Sequence, residues 1–218
     1  MGYNVAIDGP AGAGKSTIAK LVAKEKGFIY VDTGAMYRGL GIHFIKNGIK
    51  PEETEKIIAA LDGAVVTIDY ENGVQQVYVN GENVTSMLRE EAVGNMASVS
   101  SAIPAVRAHL LELQRNLAAT KDVVMDGRDI GTAILPNADV KVYLTASVEC
   151  RALRRYKELT EKGVECNLEE IAKDIEERDY RDMNRDISPL KQADDAVLVD
   201  SSEMTIEEVV KAIIDLCK

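Results

Sequence analysis

Cysteine and histidine are scarce in this chain. Cys150, Cys166 and Cys217 are widely spaced with no CxxC pair, and His43 and His109 are the only histidines. This excludes a disulfide framework and a Cys/His zinc site, and leaves the cysteines as plain reduced thiols. No apolar run approaches the ~20 residues needed to cross a bilayer. The N-terminus enters Val5-Ala6-Ile7 almost at once, without the basic, apolar and small-residue zones of a secretion signal, so the expected compartment is the cytoplasm. Positive charge is also short, with a formal net charge of -10. An acidic chain repels nucleic acid polymers and anionic membrane surfaces, so neither is an expected partner.

The basic charge that is present is uneven. Of the 11 arginines only Arg38 precedes Arg89, and the others lie between Arg89 and Arg185. Guanidinium groups suit bidentate phosphate binding. Locally gathered arginines on an acidic chain point to a small phosphorylated ligand in a pocket, the alternative being surface pairs with Asp and Glu. The length, 218 residues, allows one substantial core with a small insert.

Tyr3–Asp8 reads as a strand that runs into a Gly-rich turn, and Ser16–Lys26 as a helix with Ile18, Leu21 and Val22 inward and Gly27 as its cap. Similar short apolar runs are Phe28–Asp32, Val123–Asp126, Val140–Thr145 and Ala196–Asp200, with helical segments between them. That alternation predicts an α/β fold, a five-stranded parallel sheet with helices on both faces. A helix begins at Ile103-Pro104, and the last one opens with the capping-box pattern Thr205-Ile206-Glu207-Glu208. Ala64–Tyr70 and Val74–Val79 break the rhythm. With Asn72-Gly73 and Asn80-Gly81 as turns, they predict a small antiparallel insert.

Gly9-Pro10-Ala11-Gly12-Ala13-Gly14-Lys15-Ser16, followed by Thr17, fits G-x-x-x-x-G-K-[ST] between a strand and a helix. Glycines let successive N–H groups turn inward toward phosphate oxygens, and the helix that follows adds the positive end of its dipole. Lys15 is placed to reach the outer phosphates, and the Ser16 hydroxyl to hold Mg²⁺. Asp126, ending its strand, is the candidate carboxylate for organising that metal, or else a cap of the next turn. No base-reading Asn-Lys-x-Asp of a switch GTPase occurs. Further phosphate binders are Arg38 in Thr33–Arg38, Arg128 in Asp126–Asp129, and the group Arg178, Arg181 and Arg185. Leu168, Ile171 and Ile175 make an apolar helix face that turns charged at Arg178, Asp182 and Arg185, after an Asn167/Glu170 start. An anionic ligand facing the phosphate loop explains the change, and so would a helix end leaving the core.

Phosphoryl transfer to a small acceptor is the reaction these residues suit. A kinase for one of several small acceptors and a regulatory nucleotide binder with low turnover both fit. Taken together, IDGPAGAGKST, VDTGAMYR, the β-rich insert, DGRDIGT and ERDYRDMNRDISPL resemble the bacterial cytidylate kinases of the nucleoside monophosphate kinase family, over nearly the whole chain. The resemblance implies a single P-loop kinase domain over 1–218, with an acceptor-binding insert at about 34–103 and a helical lid at about 151–166. It implies transfer of the γ-phosphoryl group of ATP to CMP or dCMP with Mg²⁺, by a monomer. Carried over by motif position, Arg38, Arg128 and Arg185 would grip the acceptor phosphate, and Arg178 and Asp182 would contact the sugar. Ser98, Arg107 and Asp129 would read the cytosine, with Thr33 and Tyr37 nearby. Ser98 lies in a serine-rich run where a one-position shift selects another serine. Lys15, Arg128 and Arg185 are the implied catalytic set, and Arg154 and Arg155 are lid candidates for the ATP phosphates, with Glu158 and Glu161 as competing partners.

Overall fold

In the computed structural model, which describes residues 2–217, a five-stranded parallel sheet forms the frame. Its strands are β1 (Asn4–Asp8), β2 (Ile29–Asp32), β6 (Val123–Gly127), β7 (Val140–Thr145) and β8 (Val197–Asp200), in the order β2-β6-β1-β7-β8. The insert contributes an antiparallel sheet of β3 (Val66–Glu71), β4 (Val74–Val79) and β5 (Glu82–Asn83). The helices are α1 (Lys15–Lys26), α2 (Thr33–Lys46), α3 (Thr54–Ala60), α4 (Glu91–Ser100), α5 (Pro104–Thr120), α6 (Val148–Glu161), α7 (Leu168–Asn184) and α8 (Ile206–Leu216).

Alternation along the strands sorts residues between two cores. Val5 and Ile7 of β1 face one side with Ile18 and Val22 of α1 and Val209 and Ile213 of α8. Ala6 of β1, with Val123 and Met125 of β6, faces the other side with Leu40 of α2, Met96 of α4 and Leu110 of α5. Because both faces are covered, the strands need apolar residues at nearly every position, which is why they read as continuous runs. Lys141 of β7 is a charged exception within a strand: buried, its ammonium is held by the Asp195 carboxylate at 2.7 Å.

The predicted stripes hold in most positions. Leu168 and Ile206, the first residues of α7 and α8, are exposed, and so is Leu21 in the middle of α1. Phe28 lies just before β2 rather than within it. The capping box of α8 forms, with Thr205 accepting from the Glu208 N–H and Glu208 accepting from the Thr205 N–H.

The register is what builds a site. Asp126 is level with both Ile7 of β1 and Asp32 of β2, so three strand ends finish together. Loops leaving the carboxyl ends of a parallel sheet form its ligand crevice.

Two side chains of the antiparallel sheet tie the insert to the edge strand β2. Gln75 of β4 is buried, accepts from the Asp32 N–H at 2.9 Å and donates to the Asp32 carbonyl at 3.1 Å. Asp32 ends the edge strand β2, so the amide supplies backbone partners that no neighbouring strand offers. Tyr70 of β3 adds a second tie, its hydroxyl donating to the Tyr30 carbonyl at 3.1 Å. Gln75→Ala should therefore leave two backbone groups unpaired and cost about 1–3 kcal/mol in a urea titration. Gln76→Ala, on the opposite face of the same strand, should stay within about 0.5 kcal/mol. Equal effects would mean that the amide clasp contributes nothing.

Candidate active site

Gly9 leaves β1 with φ 152°, a backbone conformation side chains rarely adopt, and a Cβ there would fall 1.9 Å from the Leu144 carbonyl oxygen. The loop can follow this path only with glycine at that position. No side chain caps α1, whose first turn begins at Lys15, so the helix N-terminus faces the loop unmasked. Lys15 is buried and its ammonium donates to the Pro10 carbonyl at 2.7 Å. Burial pushes that ammonium well below the usual lysine value, and Arg128 nearby pushes in the same direction. Thr17 is exposed on the next turn.

Ser16 and Asp126 meet as the motif reading expects. The Ser16 hydroxyl donates to Asp126 Oδ2 at 3.0 Å, and the Tyr30 hydroxyl donates to Asp126 Oδ1 at 2.8 Å. Burial raises the Asp126 carboxyl, and the Asp32 carboxylate raises it further. Among the described residues no group of three or more His, Cys, Asp or Glu is gathered as a metal cage. A hydroxyl and one carboxylate are the sparse, hard oxygen donors that suit Mg²⁺, which keeps most of its waters and takes phosphate oxygens.

Asp8, the last residue of β1, has no place in the motif reading. It is buried, and its two oxygens accept from the Ile130 and Gly131 N–H groups, each at 2.7 Å. Those amides open a single π-helical turn, Ile130–Ile134, directly after Arg128-Asp129. Asp8 thus locks the root of the phosphate loop to the loop that carries Arg128 and Asp129. Its position immediately before Gly9 is the signal that could have revealed it.

Arginines and carboxylates alternate across the rest of the site. Arg107 of α5 donates to Asp129 and, at 3.2 Å, to the Ser101 carbonyl, with its guanidinium 5.4 Å from the centre of the Tyr37 ring. Arg185 lies 3.9 Å from both Asp129 and Asp182, and its Nε donates to the Ser188 carbonyl at 2.7 Å. Asp182 accepts from Arg128 Nε at 2.8 Å. Burial alone would raise Asp182, but Arg128 beside it holds the carboxyl below its ordinary value. Burial and the proximity of Arg107 lower the Arg185 guanidinium. Arg185 Nη2 is buried without a hydrogen-bond partner, and Arg178 is the other member with such a nitrogen. Its Nε is buried without a partner, and burial, then the charges of Arg128, Arg38 and Arg181, lower it to about 10. The Ser98 hydroxyl is likewise buried and unpartnered, whereas the Thr33 hydroxyl donates to the Asp126 carbonyl at 2.7 Å.

The two lid arginines are bonded to protein partners. Arg154 donates to the Ser201 carbonyl at 2.7 Å, and Arg155 pairs with Glu158 at 2.9 Å on an exposed face. It is Arg151, one turn earlier on α6, that reaches the phosphate loop, donating to the Ala11 carbonyl at 2.8 Å. The buried stripe of α7 is Ile171, Ile175, Asp179 and Asp182, so the face that turns charged turns acidic, with Arg178 and Arg185 flanking it. Helical spacing from Ile175 points to Asp179 as directly as to Arg178.

The chain matches known proteins along its whole length. The family model described as "Cytidylate kinase" matches residues 5–218. A protein named cytidylate kinase from Caldicellulosiruptor saccharolyticus is 48% identical over 213 residues, covering 98% of this chain and 94% of its own. One of the same name from Listeria monocytogenes serotype 4a is 50% identical over 215 residues, covering 98% and 95%. Among solved structures, a shikimate kinase from Acinetobacter baumannii, crystallised with shikimate, superposes with a TM-score of 0.50 at 17% identity over 100% of this chain and 93% of that one. At that identity it shows a shared fold and nothing more. No helix among the described residues is long and apolar enough to cross a membrane.

Burial raises the Asp8 carboxyl from 3.8 to about 6. Between those values the folded chain holds a proton that the unfolded chain has released. The stability this contributes is fully present below about pH 4 and is lost as pH rises through about 6. Asp8→Asn removes the titration, so unfolding free energy should fall less steeply over that window than in the parent chain. Denaturant titrations at several pH values measure it, and a steeper fall in the variant would contradict the assignment.

Proposed function

Because this chain belongs to the cytidylate kinase family, we infer that it transfers the γ-phosphoryl group of ATP to CMP or dCMP, releasing ADP and CDP or dCDP. The acceptor is itself a phosphate monoester whose oxygen is already nucleophilic, so no side chain has to take a proton from it. What the protein must supply is alignment and charge neutralisation.

The observation that carries the reading is a pair of buried guanidinium nitrogens without partners, Arg185 Nη2 and Arg178 Nε, among other arginines. Such an arrangement is costly unless an anion joins it. The acceptor phosphate, gripped by Arg38, Arg128 and Arg185, is that anion, with Arg178 and Asp182 at the sugar. Arg107 and Asp129 supply a donor and an acceptor for the base edge. Cytosine offers an exocyclic amine to a carboxylate, where uracil presents an oxygen that repels it. Ser98 keeps a hydroxyl free for the same edge, and Tyr37 and Thr33 line the approach.

On the donor side, Gly9–Thr17 wraps the ATP phosphates and Lys15 moves from the Pro10 carbonyl to the outer ones. Ser16 and Asp126 would hold Mg²⁺, whose chemistry there is neutralisation of charge on the phosphate oxygens. Segment 34–103 forms the acceptor side, and the helical segment at about 151–166 is the lid that excludes water. In this reading Arg154 or Arg155 reaches ATP after leaving Ser201 or Glu158. The protein acts as a monomer.

A coupled ADP-release assay with Mg-ATP and CMP, dCMP, UMP, AMP or GMP tests the reading, with turnover expected for CMP and dCMP. Arg128→Ala should lower turnover about 10²–10³-fold while leaving ATP binding largely intact. Asp129→Ala should narrow the preference for CMP over UMP. An unchanged preference would remove Asp129 from base reading.

A further inference from the structure

The crest of the phosphate loop is gripped from outside by a buried ion pair on the α6–α7 hairpin. Asp179 Oδ1 accepts from the Ala11 N–H at 3.1 Å, and its Oδ2 accepts from Arg151 Nη1 at 2.6 Å. The same Arg151 nitrogen donates to the Ala11 carbonyl at 2.8 Å, and Arg151 Nε donates to the Ala146 carbonyl at 2.9 Å. Arg151 and Asp179 are 4% and 7% exposed. Both Asp179 oxygens and the Arg151 Nε and Nη1 are bonded to protein partners, whereas Arg178 Nε has none. The pair therefore has the character of a fixed strut, not of a vacant ligand site.

Its grip falls on two successive peptide units. The Pro10–Ala11 unit is held at its N–H by Asp179 and at its carbonyl by Lys15. The Ala11–Gly12 unit is held at its carbonyl by Arg151. A trans peptide points its N–H opposite to its carbonyl. Drawing the Ala11 carbonyl toward Arg151 therefore turns the Gly12 N–H away from the hairpin. Gly12 itself has φ +74°, and a Cβ on it would sit 3.4 Å from Arg151 Cβ and 3.8 Å from Ile175 Cδ1. Glycine is required here for the backbone turn, since a Cβ would meet the hairpin only at ordinary van der Waals distance.

We propose that Arg151 and Asp179 are positioning residues that preset the crest of the ATP-phosphate loop and fix its distance from the acceptor arginines. The second half follows from helix geometry. Asp179 and Asp182 are one turn apart on the same buried stripe of α7, one touching the phosphate loop and the other touching Arg128. α7 is a single rigid ruler between donor and acceptor. Lid motion then pivots at this pair, with the tip of the hairpin beyond Arg151 moving and the base remaining seated.

The inference rests on Gly9–Thr17 being the ATP loop, so Lys15→Ala is the control for that reading. Asp179→Asn and Arg151→Met are compared with Arg151→Lys, which keeps a cation, in steady-state kinetics and in titration of a fluorescent ATP analogue. Folding of each is checked by circular dichroism and thermal melting. Disturbing the crest should raise the KM for ATP and weaken analogue binding by about tenfold, with the KM for CMP held near the parent value. Arg151→Lys should recover most of the loss, and the Asp179→Asn, Arg151→Met double variant should be no worse than either single one. Folded variants that bind ATP normally, or that lose ATP and CMP affinity in parallel, overturn the proposal. If Lys15→Ala also binds ATP normally, the error lies in the loop assignment itself.

Discussion

Two guanidinium groups 4 Å apart repel by about 4 kcal/mol at an effective dielectric of 20, and this site gathers Arg107, Arg128, Arg178 and Arg185 from α5, the β6 end and α7. What lets them coexist is the carboxylates set between them. From one side of the pocket to the other the sequence of charges is Arg107, Asp129, Arg185, Asp182, Arg128, with each neighbouring pair in contact or 3.9 Å apart. A buried pair seldom adds net stability over apolar packing. Its use here is to hold cations at set positions without letting them drive one another apart. Arg178 lies beside this chain of charges without a bonded carboxylate of its own, which leaves its charge for a ligand.

That charge ladder depends in turn on the sheet. Arg128 and Asp129 follow β6, the phosphate loop follows β1, and Asp32 and Thr33 follow β2. The three strands end level, so their loops start at one height. Asp8 and Gln75 then fix what the strands alone leave loose. Asp8 ties the β1 end to the turn after Asp129, and Gln75 ties the insert to the β2 end. Both act through backbone amides, so they set the path of the chain, and the functional side chains follow from it.

How much of this the sequence discloses depends on how local the cause is. The strand, glycine turn and helix around Gly9–Ser16 are legible because the φ requirement and the apolar run are written in adjacent residues. The hairpin at Asn72-Gly73 is legible for the same reason. Asp179 and Arg151 are not, since their partner Ala11 lies 168 and 140 residues away and no spacing rule reaches that far. The charged turn of the α7 stripe was legible as an anomaly, but its chemistry was not. Four neighbouring residues there are ionic, and only contact decides that Asp179 faces the donor loop while Asp182 faces Arg128. Leu21 in the middle of α1, and Leu168 and Ile206 at the starts of α7 and α8, show the converse error, in which apolar residues at sound helical spacing stay exposed.

An overall charge of -10 works against a reaction between two anions, ATP and a nucleoside monophosphate. The arrangement resolves this by distance. Exposed charges are screened within about 8–10 Å at physiological salt, so the acidic surface acts weakly on a ligand already in the crevice. Inside, where solvent is displaced, Lys15 and Arg178 are pushed below their usual values by burial and then by Arg128, so each gains when an anionic ligand arrives. Binding energy is thus concentrated at the reacting phosphates, where it serves transfer, and little of it is spent on steering. A pocket with the same arginines but no intervening carboxylates would hold its ligand more tightly and its geometry less well. For phosphoryl transfer, which turns on alignment, that is the worse exchange.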